Sequence, residues 1–284
     1  MRSYHDEFTQ RQTMNSPDFE FYHYLNQTPL VVDFHYHEFY EVFFFISGTV
    51  RYTVDGRSYQ LRPGDILLTD TRDIHRPEIS PDKPYERYVL WLDPGFLQKI
   101  SRSGDDLTVC FTDAARRKYR LIRPDGETLT QLQSLCRRIL RLQRETAFGS
   151  ASLLYAALTE LLVYLNRAYF DTPDAIRRDI NESDTVNRVV DYLEEHLAED
   201  LSLDRLADAF HLSKFHLSRQ FKEYTGLTIY QFIMKKRLIF ARAMLKAGRP
   251  VMAACMDCGF SDYSNFLKAF KREFGRNPKE YLLH

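Results

Sequence analysis

Four side chains in the N-terminal third have the types and spacing to do chemistry. They are His35, His37 and Glu41, in the run His-x-His-x-x-x-Glu, and His75 further on. Alternation along an extended strand puts His35 and His37 on one face, with Tyr36 on the other. If His75 folds back to meet them, three imidazoles and a carboxylate converge. That donor set suits a first-row transition metal. It also suits polar contacts to a small effector, or hydrogen bonding within a core, and these residues alone leave the three readings open. Arg51, Arg76 and Trp91 are nearby groups that could add charge or a stacking face to an effector site. Solvation is the alternative for the two arginines, and core packing for the indole.

A second set of candidates lies near the C-terminus and suits nucleic acid. Residues 203–226 and 251–275 repeat one another: Ala207 matches Cys255, Leu212 Phe260, Leu217 Phe266, Phe221 Phe270 and Gly226 Gly275. The offset is 48 residues before the central turn and 49 after it, so the second copy carries one extra residue there. Each copy reads as a short helix, a tight turn and a second helix. Ala207 and Cys255 are small enough for two axes to cross closely. The turn needs a residue that tolerates positive φ, which Gly259 and His211 supply. Ser213 caps the helix that starts at Lys214. With Leu217 and Phe221 facing inward, Lys214, Phe215, His216, Ser218, Arg219 and Lys222 are left for the outer face. In the second copy Phe266 and Phe270 face inward, leaving Tyr263, Ser264, Asn265, Lys268 and Lys271 outside. Residues 229–247 between the copies are rich in helix formers and carry Lys235, Lys236, Arg237 and Arg242. A helix of that length spans roughly 28 Å. It could set two reading helices about one DNA turn (~34 Å) apart, in successive major grooves. Helix N-termini would then read base edges, while basic residues such as Arg237 contact phosphates.

These groups need elements to hold them. Residues 30–92 contain short β-branched and aromatic segments with period-2 alternation. Segments 49–54 and 57–61 flank Asp55-Gly56, a two-residue hairpin signal. Arg62-Pro63-Gly64-Asp65 is a second turn, and residues 66–69 a third strand. Such a series predicts a small barrel or sandwich filled by its own aromatic side chains. After Pro94 the period becomes helical, over 127–144 and 150–168. Leu154, Leu158, Leu161 and Leu165 are spaced 4-3-4, either to pack on the strands or to form a dimer seam. Residues 170–183 are polar, include Pro173 and read as an interdomain linker.

The chain has 39 basic and 39 acidic residues among its 284, but they are unevenly placed. Residues 201–284 hold 15 basic and 7 acidic side chains, and the remainder holds 24 and 32. A basic end beside an acidic body suggests that only one end meets a polyanion. No run of about 18 apolar residues is present to cross a membrane. The first eight residues carry acids where an export signal would have an apolar core, which predicts a cytoplasmic protein. Four unpaired cysteines fit that expectation. Cys255-x-x-Cys258 lacks a second Cys or His pair, so a structural reading outweighs zinc. No phosphate loop or nucleophile elbow is found, which leaves little support for an enzyme.

The C-terminal hundred residues resemble the AraC/XylS family of regulators. The resemblance is carried by Leu206-Ala207, Leu212-Ser213, Phe221-Lys222, Gly226, Arg237, Ala241 and Leu245. It continues through Cys258-Gly259-Phe260-Ser261-Asp262, Phe266, Phe270-Lys271, Gly275, Pro278 and Tyr281. Cys255 stands where that family usually has alanine. The first His/Glu run with Gly48, and Pro63-Gly64-Asp65 with His75, resemble the two signature segments of the cupin barrel. The resemblances imply an α+β chain of two domains. Residues 1–170 would be a small cupin-like barrel with a helical pair (about 127–168) for dimerisation. Residues 171–183 would be the linker, and 184–284 a double helix-turn-helix domain. They further imply a ligand-responsive regulator, usually an activator, with promoter DNA, a small polar effector such as a carbohydrate, RNA polymerase and a second copy as partners. No cofactor or metal is expected. The alternative is a metal-dependent cupin enzyme with a DNA-binding tail, or a regulator without any effector.

Overall fold

The computed structural model describes residues 6, 12–28, 30–101, 104–172 and 184–282. The chain divides into two compact units, residues 1–54 and 58–181 in the first, and residues 182–284 with 55–57 in the second. Nearly all of the expected linker, and most of the first eight residues, lie outside the described residues.

The first unit has eight strands: Phe19–Asn26 (β1), Tyr40–Ser47 (β2), Val50–Val54 (β3), Arg57–Gln60 (β4), Ile66–Thr69 (β5), His75–Ile79 (β6), Tyr85–Leu92 (β7) and Leu121–Ile122 (β8). They form a five-stranded sheet, ordered β1-β7-β2-β5-β8, and a three-stranded sheet, ordered β4-β3-β6. Among the described residues these sheets do not close into a barrel. Asp55 and Gly56 both take positive φ, 46° and 79°, as a type I′ hairpin between β3 and β4 requires. The expected strand through His35–His37 is instead an irregular segment. Only His35 pairs there, in an isolated bridge with His75. Beyond it the imidazoles bond to nearby main-chain carbonyls, which competes with a ladder. Strand β1, FEFYHYLN, lies outside the expected strands; it is buried on both faces over most of its length, so no polar and apolar alternation marks it.

β2 shows how the cores are arranged. Val42 and Phe44 face one way, with Leu90, Leu92 and helical residues; Phe43 and Phe45 face the other, with Val50, Tyr52 and Tyr59 of the smaller sheet. Four helices cover the first face: Pro94–Ile100 (α1), Val109–Arg117 (α2), Gly126–Leu142 (α3) and Ser150–Asp171 (α4). Asp93 and Asp125 cap α1 and α3 by accepting from main-chain N–H groups. The leucine seam of α4 turns inward. Leu158, Leu161 and Leu165 are fully buried with Leu132, Leu135 and Ile139 of α3, and Leu154 packs partly against them. Of the two readings of that seam, packing on its own unit is the one observed.

From residue 184 the described residues of the second unit carry seven helices: Asp184–Glu195 (α5), Leu203–Ala209 (α6), Lys214–Thr225 (α7), Ile229–Lys246 (α8), Val251–Asp257 (α9), Tyr263–Phe274 (α10) and Pro278–Leu282 (α11). Helix α8 starts with a full capping box, Thr228 and Gln231 satisfying one another's main chain. The duplication is visible atom by atom. The Leu212 N–H bonds to the Ala207 carbonyl at 2.9 Å, and the Phe260 N–H to the Cys255 carbonyl at 3.2 Å. His211 and Gly259 occupy the left-handed position in the two turns, at φ 53° and 81°. Ser213 and Asp262 cap the second helices, and Gly226 and Gly275 end them at φ 70° and 73°. The extra residue of the second copy is therefore Ser261, between the turn and the cap.

Candidate functional site

The first unit buries a polar group in the space between its sheets. His37, Glu41 and His75 are each nearly inaccessible, as are Trp91 and Tyr52 beside them. Glu41, on β2, accepts from the Trp91 indole N–H at 2.7 Å and from the Tyr52 hydroxyl at 3.2 Å. Burial pushes the Glu41 carboxyl up, but His37 and the further imidazoles His75 and His35 outweigh it and hold it well below the usual carboxylate range. The Tyr52 phenol is held far above its ordinary value by burial and by Glu41, so it remains a donor.

The three imidazoles share one mode of attachment. Nδ1 of His35, His37 and His75 lies 2.8, 2.8 and 2.9 Å from the carbonyl oxygens of Asp33, Phe39 and Asp73. A carbonyl only accepts, so each Nδ1 carries its proton and each Nε2 is turned away from the main chain. The rings gather: His35 and His75 have centroids 4.3 Å apart, and His37 and His75 4.8 Å. Burial, then the neighbouring His75, lowers His35 to about 4, so it is neutral near pH 7. Phe39 stacks on His37 at 3.9 Å and also touches Trp91.

Five of the seven candidates for effector contact are thus brought together: His35, His37, Glu41, His75 and Trp91. Arg51 is not among them. It alternates to the outer face of β3, is 54% exposed and pairs with Glu78 across β6 at 3.9 Å. Arg76 also pairs with Glu78 and lies over the Phe34 ring. Tyr52 and Phe39, not among those candidates, also belong to the group. Tyr52 alternates with Arg51 on β3, and that parity places its hydroxyl inside.

In the second unit, helices α7 and α10 present their candidate residues outward. Lys214, Phe215, Arg219 and Lys222 are exposed on α7, with His216 and Ser218 half-buried; Ser264, Asn265, Lys268 and Lys271 are exposed on α10, with Tyr263 half-buried. Lys214 pairs with Asp204, and the Arg219 guanidinium lies 5.9 Å from the Phe215 ring. Ser218, Arg219 and Lys222 line a groove of about 500 Å³ with Phe215 and Tyr230. Both aromatics are unusually open, at 76% and 71% exposure. Tyr230 was not singled out in the sequence, because it lies one residue into the spacer helix rather than on a reading helix.

The basic residues of α8 point elsewhere than expected. Arg237 donates from Nε to the Leu197 carbonyl at 2.8 Å and from Nη2 to the Glu199 carbonyl at 2.6 Å. Lys235 pairs with Glu273 at 2.9 Å, Lys236 is buried against Glu194 at 2.8 Å, and Arg242 is buried beneath the Phe274 ring. The spacer helix uses its cations to hold its neighbours. Cys255 and Cys258 are buried thiols, and burial, then Asp257, pushes Cys258 up to about 12. They are packing residues at neutral pH.

Residues 16–162 match the AraC-like ligand binding domain, and residues 206–284 a helix-turn-helix domain. The first match alone takes in more than half of the chain. The chain belongs to the AraC family of transcription regulators. Two relatives, each an HTH-type transcriptional activator RhaS, come from Enterobacter sp. (strain 638) and Escherichia fergusonii. Both are 28% identical over 247 residues, 87% of this chain and 86% of theirs. Among solved structures, the C-terminal domain of AraT, a response regulator from Geobacillus stearothermophilus, is 27% identical. It covers 36% of this chain and 87% of its own, with a TM-score of 0.35. ToxT from Vibrio cholerae covers 94% and 98%, at 15% identity and a TM-score of 0.38. In this AraC-family chain the ligand-binding match encloses the buried His/Glu group, and the helix-turn-helix match covers both repeated helix pairs except residues 203–205. No helix among the described residues is long and apolar enough to cross a membrane.

Proposed function

We propose that this protein is an effector-responsive transcription activator that binds promoter DNA with α7 and α10. It would sense a small polar molecule, such as a carbohydrate, between the sheets of its first unit. The observation that carries the reading is the pairing of two repeated, capped, outward-facing helices with a buried polar group in a ligand-binding fold. Arg219 and Asn265 read bases, with Phe215, His216, Ser218, Tyr263 and Ser264 beside them. Lys214, Lys222, Lys268 and Lys271 meet phosphates. His35, His37, Glu41, His75 and Trp91 contact the effector. The activator role rests on the RhaS relatives, and RNA polymerase is its partner. A second copy binds through the outer face of α4, where Leu153 is 48% exposed. The protein performs no catalytic step of its own and works in the cytoplasm.

The test is genome-wide DNA occupancy of the tagged protein, followed by binding of the recovered fragments in vitro. Discrete sites sharing two short blocks about one helical turn apart support the reading. Genes beside those sites nominate effectors. Coupling is reciprocal, so the true effector changes DNA affinity by the factor that DNA changes its own. Occupancy without a shared motif overturns the proposal.

A further inference from the structure

Tyr230 stands at the boundary of two grooves in the second unit. On one side lies the groove of about 500 Å³ that it shares with Phe215, Ser218, Arg219 and Lys222 of α7. On the other lies a second groove, of about 540 Å³, shared with Glu199, Asp200, Met256 and Ser261. The capping box of Thr228 and Gln231 fixes the first turn of α8. Ile229, Phe232 and Ile233 are buried there, while Tyr230 points outward and is 71% exposed. So open a ring adds little to the core. The charge changes sign across it. Arg219 and Lys222 line the first groove, and none of its described lining residues is acidic. Glu199 and Asp200, the latter 3.7 Å from Arg205, line the second. The one cation among its described lining residues, Arg237, is spent on the Leu197 and Glu199 carbonyls.

A helix seated in a major groove has a phosphate strand along each side. The inference here rests on the reading of α7 as a DNA-binding helix. With α7 so placed, the strand beside Arg219 and Lys222 runs through the first groove, which Tyr230 lines from the next helix. We propose that the Tyr230 hydroxyl donates to a phosphate of that strand, with its ring against the adjoining deoxyribose. Tyrosine suits the place, offering an apolar body to a sugar and a polar tip to a phosphate oxygen. The acids beyond it repel a polyanion, so Tyr230 marks the limit of the DNA footprint on this side of α7. Being uncharged, it fixes the register of the helix on the duplex without adding to the salt dependence.

The test uses the full-length protein and a duplex cut from the fragments it occupies in the cell. Tyr230→Phe should weaken binding about tenfold, as the loss of one hydrogen bond does. The loss should be equal at the preferred site and at point-substituted sites, with the salt slope and melting temperature unchanged. Ethylation of one backbone phosphate should weaken the wild-type chain and have no added effect on Tyr230→Phe. Tyr224→Phe, in the last turn of α7 and outside both grooves, should bind as the wild type does. Wild-type affinity in Tyr230→Phe, or the absence of such a phosphate, overturns the proposal and leaves the reading of α7 standing. Lost activation of transcription at unchanged DNA affinity would give Tyr230 to a protein partner, and overturns it equally. A wild-type chain that binds no shared motif sinks the reading of α7 and the proposal with it.

Discussion

Arg237 Nη2 lies 2.9 Å from the point where a β-carbon on Gly259 would stand. The side chain that one residue lacks is the space the other's guanidinium fills. The Leu197 carbonyl oxygen is closer still, at 2.6 Å from that point. Gly259 is therefore required twice, by its φ of 81° and by its neighbours.

Gly259→Ala should lower stability by more than the ~1–2 kcal/mol cost of the left-handed position, because backbone must also shift. At the equivalent position of the first copy, His211→Gly should raise stability by about 0.5 kcal/mol, strain relief exceeding the added chain entropy. Chemical denaturation of the two variants checks the opposite signs.

Arg237→Ala should behave as a stability variant. It deletes two charged hydrogen bonds to the 197–199 loop, worth about 1.5–3 kcal/mol each, and should leave the salt dependence of DNA binding alone. Lys222→Ala and Lys271→Ala should do the reverse, keeping the melting temperature and each reducing the salt slope by about 1. Affinities measured across a salt series separate the two classes.

Arg219→Ala and Asn265→Ala should each cost about 1–3 kcal/mol at the preferred site and relax specificity at one base position. Competition binding against a library of point-substituted sites reads both effects. Equal losses at all sites would show these residues to be phosphate contacts instead.

Glu41→Ala should leave the Trp91 N–H and the Tyr52 hydroxyl buried without their acceptor, at about 1–3 kcal/mol per donor. Trp91 is the single tryptophan of the chain, so its fluorescence reports the change without ambiguity. A lower melting temperature and an altered emission maximum are expected.

Leu161→Ala and Leu153→Ala distinguish the two faces of α4. The first opens a hole in a filled core and should cost about 2–5 kcal/mol. The second changes an exposed side chain, so monomer stability should hold while self-association weakens. Unfolding and analytical ultracentrifugation give the two answers.

Local signals were easiest to read from the sequence. The Asp55-Gly56 hairpin, the strand at 66–69, helices α3 and α4 and the paired turns at His211 and Gly259 all rest on residues close in the chain. The gathering of His35, His37, Glu41 and His75 was legible as a possibility because three of them share a short run. Their attachment through Nδ1 was not, since it depends on carbonyls that an irregular segment happens to expose. Sign of charge misled on α8. Lys235, Lys236, Arg237 and Arg242 add to the basic balance, yet each is spent on a neighbour that only tertiary folding brings near. The division into two sheets instead of a barrel was equally hidden, because closure depends on strand-to-strand bonds and not on alternation.

β2 has no idle side. Phe43 and Phe45 are wedged into one packed compartment, and Val42 and Phe44 into another. Interiors at this density do not absorb displacement locally. A change of packing on the Glu41 side of β2 therefore bears on the strand itself and on the helices packed behind it. On the proposed function, an effector seated at Glu41 needs no dedicated wire to α3 and α4, since β2 is the wall that both sides share.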